Sequence, residues 1–318
     1  MTNSLVLLSG EKTSIPEAEA RALFLAYDPN STFAFPEERV IIVKSSVIPE
    51  TVSRRIAFSR RVGALLSSPS DAAEVVKGKK VRFRSFSLRG RPEPRSDFDA
   101  LLRGLQVSVD LEEPDYEFTR VSGRGDYLIL STPANMMQDW SSRRPRRRPF
   151  FHPAAIFPKL SRALVNLTQC KEGETLLDPF VGTGSIPIEA SEVGLSPVAI
   201  DRSRRMANGA LSNMRAFGQS WPGVIRGDAF SLPIVKVDGI ATDMPYGRAS
   251  SAGGKSASAV LSLAVERLPG VLKTGGRLVL MHPSHVPIDA PGELRVEEEH
   301  YIYIHRKLTR AITILRKT

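Results

Sequence analysis

At 318 residues and 42% hydrophobic content, the chain has room for two or three domains and for a sizeable globular core. Its formal charge of +10 favours a polyanionic partner, because basic side chains on phosphates release condensed counterions. A single cysteine, Cys170, excludes an intramolecular disulfide and a cysteine-based zinc site, and apolar runs such as Leu5–Leu8 are too short for a signal peptide or a membrane span, so a cytoplasmic location is expected.

In chain order, Leu5 to Ser9 predicts a strand, Pro16 to Tyr27 a helix with Ala18 and Ala22 on one side, and Val40 to Lys44 a second strand. After Pro49, the spacing of Ile56, Phe58, Val62, Leu65 and Leu66 predicts an amphipathic helix. This βαβα rhythm suggests a small α+β module over residues 1–63. From Lys77 to Arg84 basic and apolar residues alternate with the period of a half-buried strand. Its arginines would share an exposed face, and Lys79, Arg82 and Arg84 are candidate phosphate contacts. Phe98 to Leu105 predicts a short helix, and Val107 to Asp110, Tyr116 to Arg120 and Tyr127 to Leu130 predict strands, with Gly123 and Gly125 at the last turn. Residues 64–140 thus form a second α+β unit with a basic face.

Composition changes abruptly at Ser141, where five arginines and two prolines crowd into nine residues. Residues 141–150 predict a linker, stiffened by proline and extended by self-repulsion. A plain solvated tether is one reading; the other lays Arg143, Arg144 and Arg146 along a phosphate backbone. Beyond it, strand and helix patterns alternate as in an open parallel sheet over residues 151–318. A helix from Ala154 to Thr168 comes first. Strands follow at Thr175 to Leu177, Pro197 to Ile200, Val224 to Ile225, Gly239 to Thr242 and Arg277 to Met281. Tyr301 to Ile304 and Thr309 to Leu315 are spaced for an antiparallel hairpin at the sheet edge.

The run from Leu176 through Asp178, Phe180, Gly182, Thr183 and Gly184 passes from an apolar strand through a glycine loop into a helix, a place where backbone can approach a ligand. A phosphate-cradling loop lacks its Gly-Lys-Ser/Thr, and dinucleotide binding is weakened by Pro187 at the third glycine position. S-adenosylmethionine fits better, since Asp178 could meet the cationic end of its amino-acid moiety. Asp201 ends the next strand, where an acid can bond ribose hydroxyls or cap the following helix. Asp228 and Ala229 follow the third strand; Asp228 alone reads as a turn residue, and by order it could bond the adenine amino group. Asp243 is the fourth acid in this series.

Asp243-Met244-Pro245-Tyr246-Gly247 resembles the D/N-P-P-Y active-site loop of methyltransferases that act on exocyclic amino groups of bases. Such an amine is a poor nucleophile, so catalysis rests on positioning and charge placement. The second half of the chain looks like a Rossmann-like class I methyltransferase with a seven-strand sheet. Together with His152-Pro153, the stretch Pro158 to Leu167 and the Asp178 to Gly184 loop, it resembles the archaeal and eukaryotic tRNA guanosine-10 N2-methyltransferase family. The resemblance implies a ferredoxin-like region at 1–63 and an RNA-binding THUMP module at 64–140 that engages the tRNA acceptor end. It also implies a site for S-adenosylmethionine at the three loops and, in some relatives, a small activator subunit. Asp243 would accept a hydrogen bond from guanine N2 and take up its proton, the Met244 carbonyl would be a second acceptor, and Pro245 and Tyr246 would complete the loop. Met244 stands where the family has proline, which predicts a looser loop with the carbonyl acceptor kept. A guanine-N2 methyltransferase for another tRNA position or for ribosomal RNA is the alternative, followed by a non-catalytic RNA-binding protein. His282 and His285 flank Pro283 without a carboxylate cluster and read as structural, so no metal is expected. Gly253-Gly254-Lys255 reads as a connector.

Overall fold

The computed structural model describes residues 2–11, 13–90, 105–133, 138–219, 223–231, 236–245, 256–290, 292–306 and 308–318. The chain divides into two compact units, one of residues 1–11 and 23–138, the other of residues 12–22 and 139–318. Among the described residues no helix is long and apolar enough to cross a membrane.

The first unit is built on strands β1 (Thr2–Leu8), β2 (Thr32–Glu37), β3 (Val40–Ser45), β4 (Ser59–Leu66), β5 (Lys80–Ser87), β6 (Ser108–Val109), β7 (Tyr116–Ser122) and β8 (Asp126–Ser131). They form one sheet in the order β2-β3-β1-β4-β8-β7-β5-β6. The boundary expected at residue 63 falls inside β4, which pairs with β1 on one side and β8 on the other. The helix expected after Pro49 is also corrected: a single short helix, Pro49–Ser53, precedes β4. The apolar spacing imitates a helical period, but pairing on both edges decides the outcome. Gly63 marks the reason, since a Cβ there would run into the Leu130 carbonyl of β8.

On β5 the predicted alternation is present. Val81 is buried in a cluster with Val76, Phe118 and Leu130, and Phe83 stacks on Phe118 at 5.0 Å between ring centroids. Arg82 and Arg84 lie on the other face, where their Nε atoms donate to Glu117 Oε2 at 2.6 and 2.9 Å, and Arg61 pairs with the same carboxylate. Burial opposes the Glu117 charge, yet Arg61 and Arg82 hold its carboxyl below the usual range. Arg82 and Arg84 are therefore both structural partners of Glu117, and of the three expected phosphate contacts Lys79 and Arg84 are exposed while Arg82 is half-buried. The helix expected at Phe98 to Leu105 lies outside the described residues, apart from Leu105.

The second unit opens with the start of helix α1 (Ile15–Tyr27), where Glu19 Oε1 accepts from Asn166 Nδ2 at 2.7 Å and Ser14 Oγ bonds His300 Nδ1 at 2.7 Å. Its sheet contains β9 (Thr175–Asp178), β10 (Ser196–Asp201), β11 (Gly223–Arg226), β12 (Val237–Asp243), β13 (Leu272–Pro283), β14 (Leu294–His305) and β15 (Leu308–Lys317). The order is β11-β10-β9-β12-β13-β15-β14, parallel except for β15, which runs antiparallel to both of its neighbours. The hairpin expected at the end is thus β14 and β15, with β15 inserted next to β13. The helix expected from Ala154 begins at Pro158, since proline suits the first helical position, Pro153 and Ala154 form a turn and Phe157 is extended.

Residues 141–150 are not a free tether. Arg143 and Arg148 are buried. Arg143 Nε donates to Glu189 Oε1 at 2.8 Å and its Nη1 to Glu192 Oε2 at 3.3 Å, while buried Arg162 reaches Glu189 Oε2 at 2.7 Å. The Trp140 ring lies against both guanidinium groups, 5.2 Å from Arg143 and 5.5 Å from Arg162. This pairing removes Arg143 from the expected phosphate contacts, because its charge is already compensated inside the fold.

Candidate active site

Parallel strands that end together place their last residues on one edge, where the following loops form a crevice. Asp178 ends β9, Asp201 ends β10 and Asp243 ends β12, and all three line one cavity of about 450 Å³. Helix α2 (Ser185–Glu192) begins directly behind the glycine loop, whose Gly182 and Gly184 adopt positive φ of 54° and 84°. Gly184 sits against Ala210 Cα, where a Cβ would come within 3.4 Å, so both its conformation and its packing call for glycine. Asp201 ties the loop to the next helix: Oδ2 accepts from Gly182 N at 3.1 Å and Oδ1 from Ser203 N at 2.8 Å. The cap of that helix is Ser203 and not Asp201, since Ser203 Oγ accepts from Met206 N.

Asp178 is buried and accepts from Thr242 Oγ1 at 2.6 Å and Phe180 N at 3.2 Å. Burial pushes its carboxyl up to about 7, against those two hydrogen bonds. Burial also raises Asp201. Asp243 is pushed up to about 6 by burial, against the guanidinium of Arg310, whose Nη1 donates to Oδ2 at 3.0 Å. Among the described residues the other oxygen, Oδ1, is buried without a hydrogen-bond partner. A buried carboxylate oxygen left so is costly unless something binds there.

Arg310 was not legible in the sequence. It belongs to β15, where its register places it beside Pro283 of β13 and so on the cavity side of the sheet edge. Only the insertion of β15 next to β13 brings it there, and no local pattern signals that. Thr242, the partner of Asp178, is likewise visible only once β12 lies beside β9.

Met244 is buried with Leu177, Ile240 and Leu280 in the core beneath the sheet edge, and its N–H donates to Met281 O at 2.8 Å. Proline could not make that bond. Methionine therefore adds a tie to β13 at this position, where a looser loop was expected. Pro245 lines the cavity; Tyr246 and Gly253-Gly254-Lys255 lie outside the described residues. Phe180 and Thr183 line the cavity, and Phe180 meets Phe230 edge-on at 5.7 Å. Asp228 is exposed, closes a turn by accepting from Phe230 N at 3.0 Å, and with Ala229 lies off the described cavity lining. His282 is buried against Thr313 Oγ1 at 2.9 Å, and among the described residues no acid, histidine and cysteine cluster is placed to hold a metal.

A seven-strand sheet with one antiparallel strand, a glycine loop after its first strand and three acids at the carboxyl edge define a class I methyltransferase. The family model described as UPF0020, RMKL-like, methyltransferase domain, matches residues 145–311. The tRNA (guanine(10)-N2)-dimethyltransferase of Methanocaldococcus jannaschii is 36% identical over 98% of this chain and 99% of its own, and that of Methanothermobacter thermautotrophicus is 29% identical over 98% and 99%. The solved structure of TrmN from Thermus thermophilus shares the fold, with a TM-score of 0.53 over 99% of this chain and 100% of its own at 18% identity. This chain belongs to the tRNA (guanine(10)-N2)-dimethyltransferase family. S-adenosylmethionine is its methyl donor.

Proposed function

We propose that the protein methylates the exocyclic N2 of guanosine 10 in tRNA, once or twice. The observation that carries this reading is Asp243, held by Arg310 through one oxygen and presenting at the cavity a second, buried oxygen that has no partner among the described residues. The first unit is read as the ferredoxin-like region and THUMP-like module that receives the tRNA acceptor end, with a small activator subunit as a further partner. A tRNA substrate suits a cytoplasmic protein.

The cavity suits the donor. Three carboxylates line it against the guanidinium groups of Arg205 and Arg310, and Arg310 is already paired. Such a lining attracts an ammonium or sulfonium and repels a pyrophosphate. Asp178 would hold the amino-acid end, and Asp201 and the Gly182 loop the ribose. S-adenosylmethionine, when bound, supplies an electrophilic methyl on a sulfonium. Asp243 Oδ1 would accept one N2 hydrogen and orient the amine lone pair; as the N–C bond forms and the C–S bond breaks, the proton passes to this carboxylate. The Met244 carbonyl would accept the second hydrogen, and the bond from Met244 N–H to Met281 O fixes the preceding peptide, which joins Met244 to Asp243.

Asp243 can take up the N2 proton only when ionised, so with S-adenosylmethionine saturating, activity should fall as pH drops through about 6. Arg310→Gln removes the cation that favours the carboxylate and should move this acid limb upward by roughly a unit, with activity recovered at alkaline pH. A pH profile with the wild-type midpoint would remove Arg310 from this role. His152, Asp178, Asp201 and Arg205, the other ionisable groups lining the cavity, stay in place in that variant.

The target is tested with isotopically labelled S-adenosylmethionine and unmodified tRNA transcripts, with and without a G to A change at position 10. Labelling is expected only with guanosine present. Equal labelling of both transcripts would assign another guanosine, and absence of S-adenosylmethionine binding would leave a non-catalytic RNA-binding protein.

A further inference from the structure

The five arginines between Ser141 and Phe150 fall into two groups. Arg143 and Arg148 are buried, whereas Arg144, Arg146 and Arg147 are exposed. The segment carrying them is fixed to the fold. Arg148 Nη1 donates to Ser185 Oγ at 2.6 Å, Phe150 N donates to Asn213 Oδ1 at 2.8 Å, and Asn213 Nδ2 donates to Phe150 O at 2.9 Å. Gly209 leaves room for the Phe150 ring, where a Cβ would collide. From this anchor the chain runs along the cavity, which His152, Ala154, Ala155 and Ile156 line. Phe151 and Phe157 bracket those residues, 44% and 64% exposed, and the Arg146 guanidinium lies 6.0 Å from the Phe151 ring centroid.

Two phenylalanine rings open to solvent beside three exposed arginines suit a strand with flat bases and a charged backbone. A guanosine whose N2 reaches Asp243 inside a cavity must leave its stack, and its neighbours then lose a stacking partner. Building on the functional reading above, we propose that residues 144–157 form a docking strap for the RNA flanking the target nucleotide. Phe151 and Phe157 stack on the bases next to the extruded guanosine, and Arg144, Arg146 and Arg147 hold their phosphates. An acidic peptide would use the arginines alone, so the phenylalanines separate the two partners.

The test measures equilibrium binding of the full chain to an unmodified tRNA transcript at several salt concentrations. Phe151→Ala with Phe157→Ala, and Arg144→Gln with Arg146→Gln and Arg147→Gln, should each weaken binding about tenfold or more. The arginine variant should also flatten the salt dependence by roughly two to three ions, while both variants bind S-adenosylmethionine as wild type. Phe151→Tyr with Phe157→Tyr keeps the rings and should bind tRNA normally. Wild-type affinity in the alanine variant overturns the proposal, as does a loss confined to the arginine variant or an equal loss in the tyrosine variant. Because binding is read and not methyl transfer, a wild-type protein that binds tRNA without methylating guanosine 10 fails the functional reading alone.

Discussion

Asp243→Asn is expected to lower kcat roughly 100- to 10,000-fold, the range for removing a positioned proton acceptor, while S-adenosylmethionine binding is retained. Asparagine keeps the size of the side chain and an oxygen for Arg310 Nη1, which donates to Asp243 at 3.0 Å in the wild type. Alanine would instead leave Arg310 buried beside an empty space, so a loss of activity would mix chemistry with destabilisation. In asparagine the group facing the amine becomes neutral, and an amide has no capacity to take the proton released as the N–C bond forms. Single-turnover transfer with saturating cofactor, read beside calorimetric binding of S-adenosylmethionine, separates the two effects. Transfer at a wild-type rate would mean that another group takes the proton.

The second large effect concerns stability. Glu189 is fully buried and carries the charges of Arg143 and Arg162, themselves 7% and 2% exposed. Burial lowers the pKa of Arg162, and Glu189 is the main influence restoring it. Arg148, packed in the same region, is lowered to about 10 by burial, with Glu189 again opposing. Glu189→Gln preserves shape but strands buried cations, a change that costs about 3 kcal/mol or more. Glu192→Gln serves as the comparison. Glu192 meets Arg143 at 3.3 Å with a side chain 35% exposed, and exposed pairs of this kind contribute about 1 kcal/mol or less. Denaturant unfolding of both variants should show the Glu189 change several times more damaging. Equal costs would mean that water or a rearranged Trp140 pocket compensates the arginines. The consequence for function is local: Arg148 holds Ser185 at the start of the helix behind the glycine loop, so weakened cofactor binding should accompany the loss of stability.

Much of the second unit could be read from the sequence because its signals are local. Three of the parallel strands, β9, β10 and β12, are short apolar runs that end in an acid, and the meaning of that acid depends only on the strand before it. Asp178, Gly182, Asp201 and Asp243 therefore stood out without a structure, and the cavity gathers all four. Asp228 followed the same rule of order and yet lies in an exposed turn off the described cavity lining, because position after a strand does not decide which way a loop folds. The first unit was harder. Its β4 has apolar spacing compatible with a helix, and only hydrogen bonding to β1 and β8 selects the strand.

The reaction class follows from the D-M-P-Y-G loop, the glycine loop and the order of the acids, all of them properties of short segments. How charge is distributed among those segments emerges only once the chain is folded. The five arginines between Ser141 and Phe150 divide into buried partners of the fold and exposed groups at the surface, and Arg82 joins Glu117. Arg310 reaches Asp243 from 67 residues away along the chain. An ion pair forms where two side chains meet in space at low dielectric, and neither composition nor periodicity carries that information.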